Sequence, residues 1–302
     1  MKVGIVGAGA VGTACMFAMA LRGSAREVVL VNRTHARARG AVADLQYGAV
    51  LAPALSLRAG SYDDLRGAGV VMITAGANEK SGGATDRDDP EGRLKLLATN
   101  AAVYRDIVPR IVAAAPDAIL LVITDPPDPL ADIARRSAGH DRVVSSGTFL
   151  DSVRFRWHLA QKLGLDPKSV EAQVVGEHGT SQVYLWSTAR VGGTPIAPDD
   201  RLRQEVEHDV RFANISIIEG TGASQLGIGV VAARIVEMIV RDEGAVLPIG
   251  IYHERFGVTL SLPSRIGRDG VTRVFTPPMT QDEASALDES AATLRRALES
   301  VR

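Results

Sequence analysis

The chain has 302 residues, 46% of them hydrophobic, and is long enough to bury the core of one or two domains. Its 34 Lys and Arg residues nearly balance 35 Asp and Glu residues, which leaves a formal net charge of −1 and no block of like charge. The balance argues against nucleic acid and anionic membranes as partners, because both are bound through strongly basic surfaces.

A single cysteine, Cys15, limits the chemistry that sulfur can supply. One cysteine excludes an intrachain disulfide and a cysteine metal cluster, and its apolar surroundings indicate a small buried side chain rather than a nucleophile. We therefore expect no metal site. The first apolar run begins at residue 2 and no run is long enough to span a bilayer, so we expect a cytoplasmic protein without a signal peptide.

A glycine motif dominates the first 34 residues. Lys2–Val6 is a short apolar run that predicts a strand, and Gly7, Gly9 and Gly12 follow it in the spacing G-x-G-x-x-G. A small-residue helix and a second strand, Glu27–Val31, complete the unit. In such units the first glycine permits a tight turn, the second lets the backbone approach a pyrophosphate, and the third lets the helix pack closely on the strand. The pattern predicts a dinucleotide-binding site with the pyrophosphate at the helix N-terminus.

The end of the second predicted strand bears on the choice between NAD and NADP. NAD sites usually place Asp or Glu there to bind the adenosine ribose, whereas this chain has Asn32, Arg33 and Thr34, with Arg37 one turn later. Without the carboxylate a 2′-phosphate is not repelled, and an arginine can bind it through a planar pair of donors. The sequence therefore favours NADP, while NAD stays possible if Arg33 stacks on the adenine instead.

Strand-like and helix-like segments alternate through the first half of the chain. Apolar, β-branched runs at 70–74, 119–124 and 142–145 are separated by helical patterns such as Asp128–Ala138. This alternation predicts an α/β fold with a doubly wound parallel sheet of the Rossmann type over residues 1–146. The later segments predict a second, mixed α+β substrate domain over residues 147–302. They are a helix at 150–163, a strand leading into Gly179, a helical region broken near 220–222, short strands within 246–275 and a helix at 281–298.

Three segments together resemble the L-lactate/malate dehydrogenase family. They are Gly147–Arg156, Val175–Gly179 and the stretch from Gly92 to Asn100, and the similarity extends nearly from end to end. The resemblance implies an enzyme that transfers a hydride between a nicotinamide cofactor and a small 2-hydroxy/2-oxo acid. It also assigns Gly76 and Asn100 to the cofactor site.

Four charged side chains are the candidates for the chemistry. An imidazole changes charge near neutral pH, so His178 is a candidate acid/base, and the resemblance implies that Asp151 accepts its hydrogen bond and orients it. Arg154 lies three residues after Asp151 on the same predicted helix face, and the resemblance implies that it binds the substrate carboxylate through two hydrogen bonds. The resemblance gives Arg93 the role of polarising the reacting carbonyl. The alternatives are a structural histidine, a surface Asp–Arg pair and a solvated arginine.

Departures from the family pattern bear on the substrate. Counting from Gly76, Glu79 falls where the family distinguishes lactate from malate by Gln or Arg, although an insertion of roughly eight residues follows. Asp125 replaces the Asn of the family's Asn-Pro pair, and Ser224 matches a Thr or Ser of the substrate pocket. A carboxylate repels a distal substrate carboxylate. We therefore expect a substrate that is neither pyruvate nor oxaloacetate but a 2-oxo acid with a polar or cationic side chain. The alternative is that Glu79 belongs to a solvated loop insertion and does not enter the site.

Two competing hypotheses come from other functional classes. One is a catalytically silent dinucleotide-binding sensor, which the presence of all four charged side chains disfavours. The other is an NAD-retaining glycosidase, whose chemistry requires metal ligands that usually include a cysteine, and Cys15 lies in the wrong segment for that role. For the dehydrogenase we expect a homodimer or homotetramer, because such enzymes usually associate symmetrically.

Overall fold

Six parallel strands form the centre of the fold in this computed structural model, which describes residues 1–78, 80, 85–89 and 92–301. The strands are β1 (Lys2–Val6), β2 (Glu27–Val31), β3 (Ser56–Gly60), β4 (Ala68–Ile73), β5 (Ile119–Val122) and β6 (Val143–Ser145). They lie in the order β3-β2-β1-β4-β5-β6, so the carboxyl ends of β1 and β4 meet where the strand order reverses. Sheets of this kind bind ligands at that point.

Helices cover both faces of the parallel sheet. In the first half they are α1 (Ala10–Arg22), α2 (His35–Ala49), α3 (Leu97–Ala114) and α4 (Pro127–Ala138), with 3₁₀ turns at Asp63–Leu65 and Gly92–Leu96. Val71 and Ile73 of β4 point into the core beneath α3 and α4, whereas Val70 and Met72 point into the core beneath α1 and α2. Burial on both faces explains why this strand is a continuous apolar run without alternation.

The second half of the chain adds helices and extends the sheet. Its helices are α5 (Phe149–Leu163), α6 (Asp200–Arg211), α7 (Ala213–Thr221), α8 (Leu226–Val240) and α9 (Gln281–Glu299), with 3₁₀ turns at Pro167–Ser169 and Trp186–Thr188. Its strands are β7 (Val170–Glu171), β8 (Val174–Val175), β9 (Val183–Tyr184), β10 (Arg190–Val191), β11 (Thr194–Pro195), β12 (Ala245–His253), β13 (Val258–Gly267) and β14 (Gly270–Val274). β12 joins β6 in antiparallel pairing, with Gly250 opposite Ser145, and β13 and β14 follow it to complete a nine-stranded sheet.

The predicted fold class is confirmed, and most predicted elements begin or end within two residues of the observed ones. The break predicted near 220–222 is the end of α7, where Gly222 has a φ of +80°. Some details differ. The predicted strand leading into Gly179 ends at Val175. Strand β3, whose segment Ser56–Gly60 has few large apolar residues, and the two-residue strands β7, β9, β10 and β11 were not predicted. A division of the chain at residue 146 stays a prediction.

Among the residues described, no single helix has both the length and the apolar character to cross a membrane. One bent pair, α7 and α8, meets that criterion by combined length and composition alone, with an angle of 120° between the two helices.

Helix α1, which follows the glycine turn, is fixed against the second half of the chain. A Cβ on Gly229 of α8 would lie 2.8 Å from the carbonyl carbon of Ala14, so the glycine permits close packing of the two helices. The buried carboxylate of Glu237 in α8 accepts hydrogen bonds from Arg22 at 2.7 and 2.8 Å and from the Ser24 hydroxyl at 2.9 Å. These contacts set the position of the helix N-terminus relative to the rest of the molecule.

Gly12→Ala should destabilise the protein by about 1 to 3 kcal/mol, because a Cβ there would lie 1.9 Å from the carbonyl oxygen of Gly7. Urea unfolding monitored by circular dichroism measures the change. Gly9→Ala is the matched control, since a Cβ at Gly9 would meet no atom within 4 Å and should change the free energy of unfolding by less than about 0.5 kcal/mol. Equal losses in the two variants would contradict this account of the turn.

Candidate active site

The glycine turn forms an open cradle at the N-terminus of α1. Gly7 has a φ of +118°, and its carbonyl oxygen accepts a hydrogen bond from the Thr74 hydroxyl at 3.0 Å, which ties the turn to the end of β4. Gly9 caps α1 without a side chain, so the space in front of the first N–H groups of the helix is open. Free N–H groups and the positive end of a helix dipole fit a pyrophosphate. The residues present therefore fit the dinucleotide that the sequence predicts.

Asn32 braces the glycine turn from the end of β2. Its Oδ1 accepts a hydrogen bond from the Ala8 N–H at 3.0 Å, and its Nδ2 donates to the carbonyl oxygen of Thr34 at 3.1 Å. Both polar atoms of the side chain are therefore engaged within the protein. Arg33 is exposed, and it is Arg37, at the start of α2, that lines the cavity beside Gly9. The strand end carries no carboxylate toward a ribose.

Asn100 connects two loops at the carboxyl edge of the sheet. It is fully buried, its Oδ1 accepts from the Ala77 N–H at 2.7 Å, and its Nδ2 donates to the carbonyl oxygen of Asp125 at 2.7 Å. A Cβ on Gly76 would lie 2.4 Å from the Thr124 side chain, so only glycine fits there. Gly76, predicted to bind the cofactor, lines the cavity, whereas the described contacts of Asn100 are with the two loops. Asn100 therefore shapes the cavity wall through these loops.

The His178 ring is held by a buried carboxylate. Its Nδ1 is hydrogen-bonded to Oδ2 of Asp151 on α5, and Oδ1 of Asp151 lies 3.3 Å from Nη1 of Arg154. Burial alone would raise the pKa of Asp151, but the neighbouring charges of His178, Arg154 and Arg93 lower it to about 2. An ionised Asp151 can only accept hydrogen bonds, so Nδ1 carries a hydrogen and Nε2 is left to face the cavity.

Arg154 and Arg93 bring two cations to the same cavity. The Arg154 side chain is 11% exposed, and its partial burial together with the charge of Arg93 lowers the pKa of its guanidinium, while Asp151 opposes that shift. Even so, a guanidinium stays charged under physiological conditions. Two largely enclosed arginines beside one imidazole form a site for an anion that also has an oxygen to be polarised.

Asp125 occupies the space between the two groups that were predicted to act on the reacting oxygen. Its Oδ1 lies 3.6 Å from Nε2 of His178, and its Oδ2 lies 3.6 Å from Nε of Arg93. The side chain is largely buried, and it lines the cavity with both partners. Asp125 was predicted to bind substrate directly, and the structure places it in contact with the acid/base candidate and the polarising arginine as well.

One cavity of about 400 Å³ joins the cradle to this charged cluster. Its lining includes residues from both halves of the chain: Gly9, Ala10, Val11, Arg37, Gly76, Ala77, Arg93, Asp125, Ser146, Leu150, Arg154, His178, Asn214 and Ser224. Ser224, predicted to bind substrate, is among the lining residues. Glu79, which was also predicted to bind substrate, lies outside the described residues. The cavity is wide enough for a nicotinamide ring and a small acid side by side.

Two polar residues at the site, Asn214 and Asp128, were not predicted from the sequence. Asn214 of α7 is buried and lines the cavity, but nothing in its helical context distinguishes it. Asp128 is fully buried and binds the backbone of His178, and its signal was present in the polar sequence 125–128 at the end of β5. Residues that act from behind a pocket are difficult to identify from sequence because their partners are distant along the chain.

A metal-dependent alternative finds little support in the described residues. They contain no group of three or more His, Cys, Asp or Glu side chains arranged to hold a metal ion. Cys15 is fully buried in α1, and burial raises the pKa of its thiol to about 12, which keeps it protonated. A protonated thiol is a poor ligand and a poor nucleophile.

Comparison with known proteins gives matches over the whole chain. Residues 1–145 match a family model described as lactate/malate dehydrogenase, NAD binding domain, and residues 148–302 match one described as lactate/malate dehydrogenase, alpha/beta C-terminal domain. The chain is 42% identical to an L-lactate dehydrogenase of Deinococcus radiodurans, covering 98% of this chain and 97% of the relative. It is also 42% identical to an L-lactate dehydrogenase of Thermus aquaticus, covering 98% of each chain.

A solved structure supports the same relationship. The crystal structure of a minor L-lactate dehydrogenase from Enterococcus mundtii superimposes with a TM-score of 0.91 at 34% sequence identity, covering 100% of this chain and 98% of that one. The superposition includes both halves of the chain.

Proposed function

The chain belongs to the lactate/malate dehydrogenase family, and we propose that it interconverts L-lactate and pyruvate, or a closely related pair of small 2-hydroxy and 2-oxo acids. Membership makes it a nicotinamide-dependent 2-hydroxy acid dehydrogenase, which sets aside the silent sensor and the glycosidase. The relatives named L-lactate dehydrogenase support the lactate–pyruvate pair. They give no support to the expectation of a substrate other than lactate.

The observation that carries the proposal is the convergence of His178, Arg93 and Arg154 on one cavity that continues into the glycine cradle. Nε2 of the histidine faces the cavity because Nδ1 is bound to Asp151. A 2-oxo acid presents two features, a carboxylate and a carbonyl oxygen on the adjacent carbon, and the arrangement supplies a partner for each.

In the reducing direction the residues would act together on the carbonyl group. A bound reduced nicotinamide supplies a hydride to the carbonyl carbon. As the carbon–oxygen π electrons move to the oxygen, protonated His178 gives its Nε2 proton to that oxygen, and Arg93 stabilises the negative charge that develops there. Arg154 holds the carboxylate, so the carbonyl carbon meets the nicotinamide in a fixed orientation. Asp151 keeps the imidazolium oriented and stabilises its charge.

For the cofactor, the match to an NAD-binding domain indicates a nicotinamide dinucleotide, and we propose the finer preference for NADPH over NADH. Three features support it: the amide of Asn32 is engaged by the glycine turn, the strand end carries no carboxylate, and Arg37 lines the cavity while Arg33 is exposed close by. A guanidinium beside the adenosine ribose would bind a 2′-phosphate and tolerate its absence.

A second candidate substrate class is favoured by one observation, the position of Asp125. A carboxylate 3.6 Å from both Nε2 of His178 and Nε of Arg93 adds negative charge where the reacting oxygen would lie. This charge disfavours acids with a distal carboxylate, such as oxaloacetate, and favours a side chain with a hydroxyl or ammonium group.

Association into a homodimer or homotetramer is also part of the proposal. Exposed apolar side chains on α1 and α8, among them Phe17, Leu21, Leu226 and Val230, support contact with a second copy. Helices α1 and α8 pack against each other, so these side chains belong to one region of the surface.

His178→Ala should lower kcat by about 100-fold or more, because proton donation to the reacting oxygen is lost. The affinity for NADPH or NADH, measured by fluorescence titration, should stay within about twofold, since the imidazole acts on the reacting oxygen and not on the adenosine half of the cofactor. His208→Ala, an exposed histidine on α6, is the matched control and should keep normal turnover. Near-normal turnover in the His178 variant would refute the proposed mechanism.

NADPH should be preferred to NADH by about 10- to 100-fold in kcat/KM, the range expected for one charged hydrogen bond to a phosphate. Initial rates at 340 nm with pyruvate measure the ratio. Arg33→Ala and Arg37→Ala, made separately, should identify which arginine is responsible, and Arg39→Ala, an exposed neighbour on α2, should leave the ratio unchanged. Equal kinetics with both cofactors, or a preference for NADH, would overturn the cofactor proposal.

Asp125→Asn should raise kcat/KM for pyruvate by about fivefold relative to that for a 2-oxo acid with an amino or hydroxyl side chain. Removal of one partly screened negative charge that attracts the amino or hydroxyl side chain corresponds to roughly 1 kcal/mol. The ratio of kcat/KM values for the two substrates, in wild type and variant, is the measurement. An unchanged ratio would show that Asp125 does not select the substrate side chain.

A further inference from the structure

A second buried carboxylate contacts the main chain of His178. Asp128, the second residue of α4, is fully buried, and its Oδ2 accepts a hydrogen bond from the backbone N–H of His178 at 2.7 Å. Its Oδ1 accepts a hydrogen bond from the Ser145 hydroxyl at the end of β6, at 2.5 Å. One side chain thus joins α4, β6 and the turn that carries the acid/base candidate.

The surroundings of Asp128 are shaped to hold it. A Cβ on Gly250 of β12 would lie 2.5 Å from Oδ1 of Asp128 and 2.0 Å from the Ser145 hydroxyl, so this position in β12 has space only for glycine. Gly250 pairs with Ser145 in the sheet, which brings β12 against the carboxylate. The buried carboxylate of Asp128 thus accepts two hydrogen bonds and packs against a position that has space only for glycine, which makes the contact specific.

From these contacts we propose that Asp128 is a positioning residue for the reaction, holding the main chain of His178 so that Nε2 meets the reacting oxygen. The inference rests on the proposed role of His178. Asp151 holds the ring at Nδ1 and Asp128 holds the backbone N–H, so the residue is fixed at both ends. Neither contact faces the cavity, which leaves Nε2 available to substrate.

The charge of Asp128 depends on its neighbours from each packed element. Burial raises the pKa of Asp128 to about 7, while the hydrogen bonds from Ser145 and His178 oppose the shift. The titratable groups that act on it are His178, whose charge lowers the pKa, and Glu177, whose charge raises it, both on the turn after β8. β6 contributes the Ser145 hydroxyl and β12 contributes Gly250.

A matched control exists one turn further along the same helix. Asp132 of α4 is also fully buried, burial also raises the pKa of its carboxyl, and its Oδ2 accepts a backbone N–H at 2.7 Å. That N–H belongs to Thr259 of β13, which lies outside the cavity lining. Asp128→Ala and Asp132→Ala therefore remove the same kind of contact from the same helix, and only the first contact reaches His178.

The first experiment compares the kinetics of the two variants. Asp128→Ala should lower kcat by about 10- to 100-fold, the size expected when a reacting group is displaced by about 1 Å, while the KM for the cofactor stays within about twofold. Asp132→Ala should keep kcat within about twofold at a temperature where both variants are folded. Asp128→Asn retains an acceptor for the His178 N–H and should recover most of the lost kcat.

Equal kcat in Asp128→Ala and Asp132→Ala, or no recovery in Asp128→Asn, would overturn the positioning role. If the wild type itself reduced no 2-oxo acid, the proposed function would fail instead, so the two failures are distinguishable.

The second experiment does not depend on turnover. The folded pKa of about 7 lies above the ordinary value of 3.8, so the stabilisation from the bound proton is complete below pH 3.8 and is lost as the pH rises through 7. Asp128→Asn has no such proton to lose. The urea midpoint of the wild type should therefore fall relative to that of Asp128→Asn between pH 5 and 8. A constant difference between the two midpoints would contradict the proposal that a buried Asp128 carboxyl binds the main chain of His178.

Discussion

The buried pair of His178 and Asp151 is the interaction on which the site depends. A carboxylate removed from water is costly unless cations and hydrogen bonds compensate it. Here the compensation comes from the imidazole on one side and Arg154 on the other, and these charges lower the pKa of Asp151 from its ordinary value to about 2. The carboxylate in turn fixes the tautomer of the histidine. The arginine that balances the buried charge is the one that could hold a substrate carboxylate, so stability and recognition share one set of contacts.

The sheet provides the frame that makes this charged arrangement possible. Because β1, β4, β5 and β6 are parallel, their carboxyl ends meet along one edge, and the loops that follow them meet there too. Asn100 ties two of these loops together, and Asp128 ties a third element, the turn after β8, to the end of β6. Because Gly76 and Gly250 have no side chain, the polar side chains of Asn100 and Asp128 can pack closely against the backbone at these positions. The glycine cradle and the charged cluster therefore open into one cavity.

Asp125 is the feature that separates this site from the family pattern suggested by the sequence. Its carboxylate lies between His178 and Arg93, where a neutral amide would interact without adding charge. The relatives named L-lactate dehydrogenase are the basis of the lactate proposal, and the position of Asp125 is the basis of the proposal of a polar or cationic side chain. Both considerations concern the same reaction, because hydride transfer to a 2-oxo acid needs the cations whatever side chain the acid carries.

Local patterns in the sequence were sufficient to identify the architecture. The glycine spacing, the apolar runs at Lys2–Val6 and Glu27–Val31 and the helical spacing of Asp151 and Arg154 depend on neighbours within a few residues, where steric and periodic rules apply directly. The parallel sheet followed from the alternation of such segments. β3 was missed because its short, weakly apolar segment gives no distinct pattern.

Only the tertiary structure decided which side chains meet. Asn32 binds Ala8 in the glycine turn, Arg37 rather than its neighbour Arg33 lines the cavity, and Asp128 reaches a backbone 50 residues away. The position of Asp125 between His178 and Arg93 likewise combines three distant segments. These contacts depend on how whole helices and strands pack against one another. Hydrogen-bond distances of a few ångströms are set by that packing, so the local sequence does not predict them.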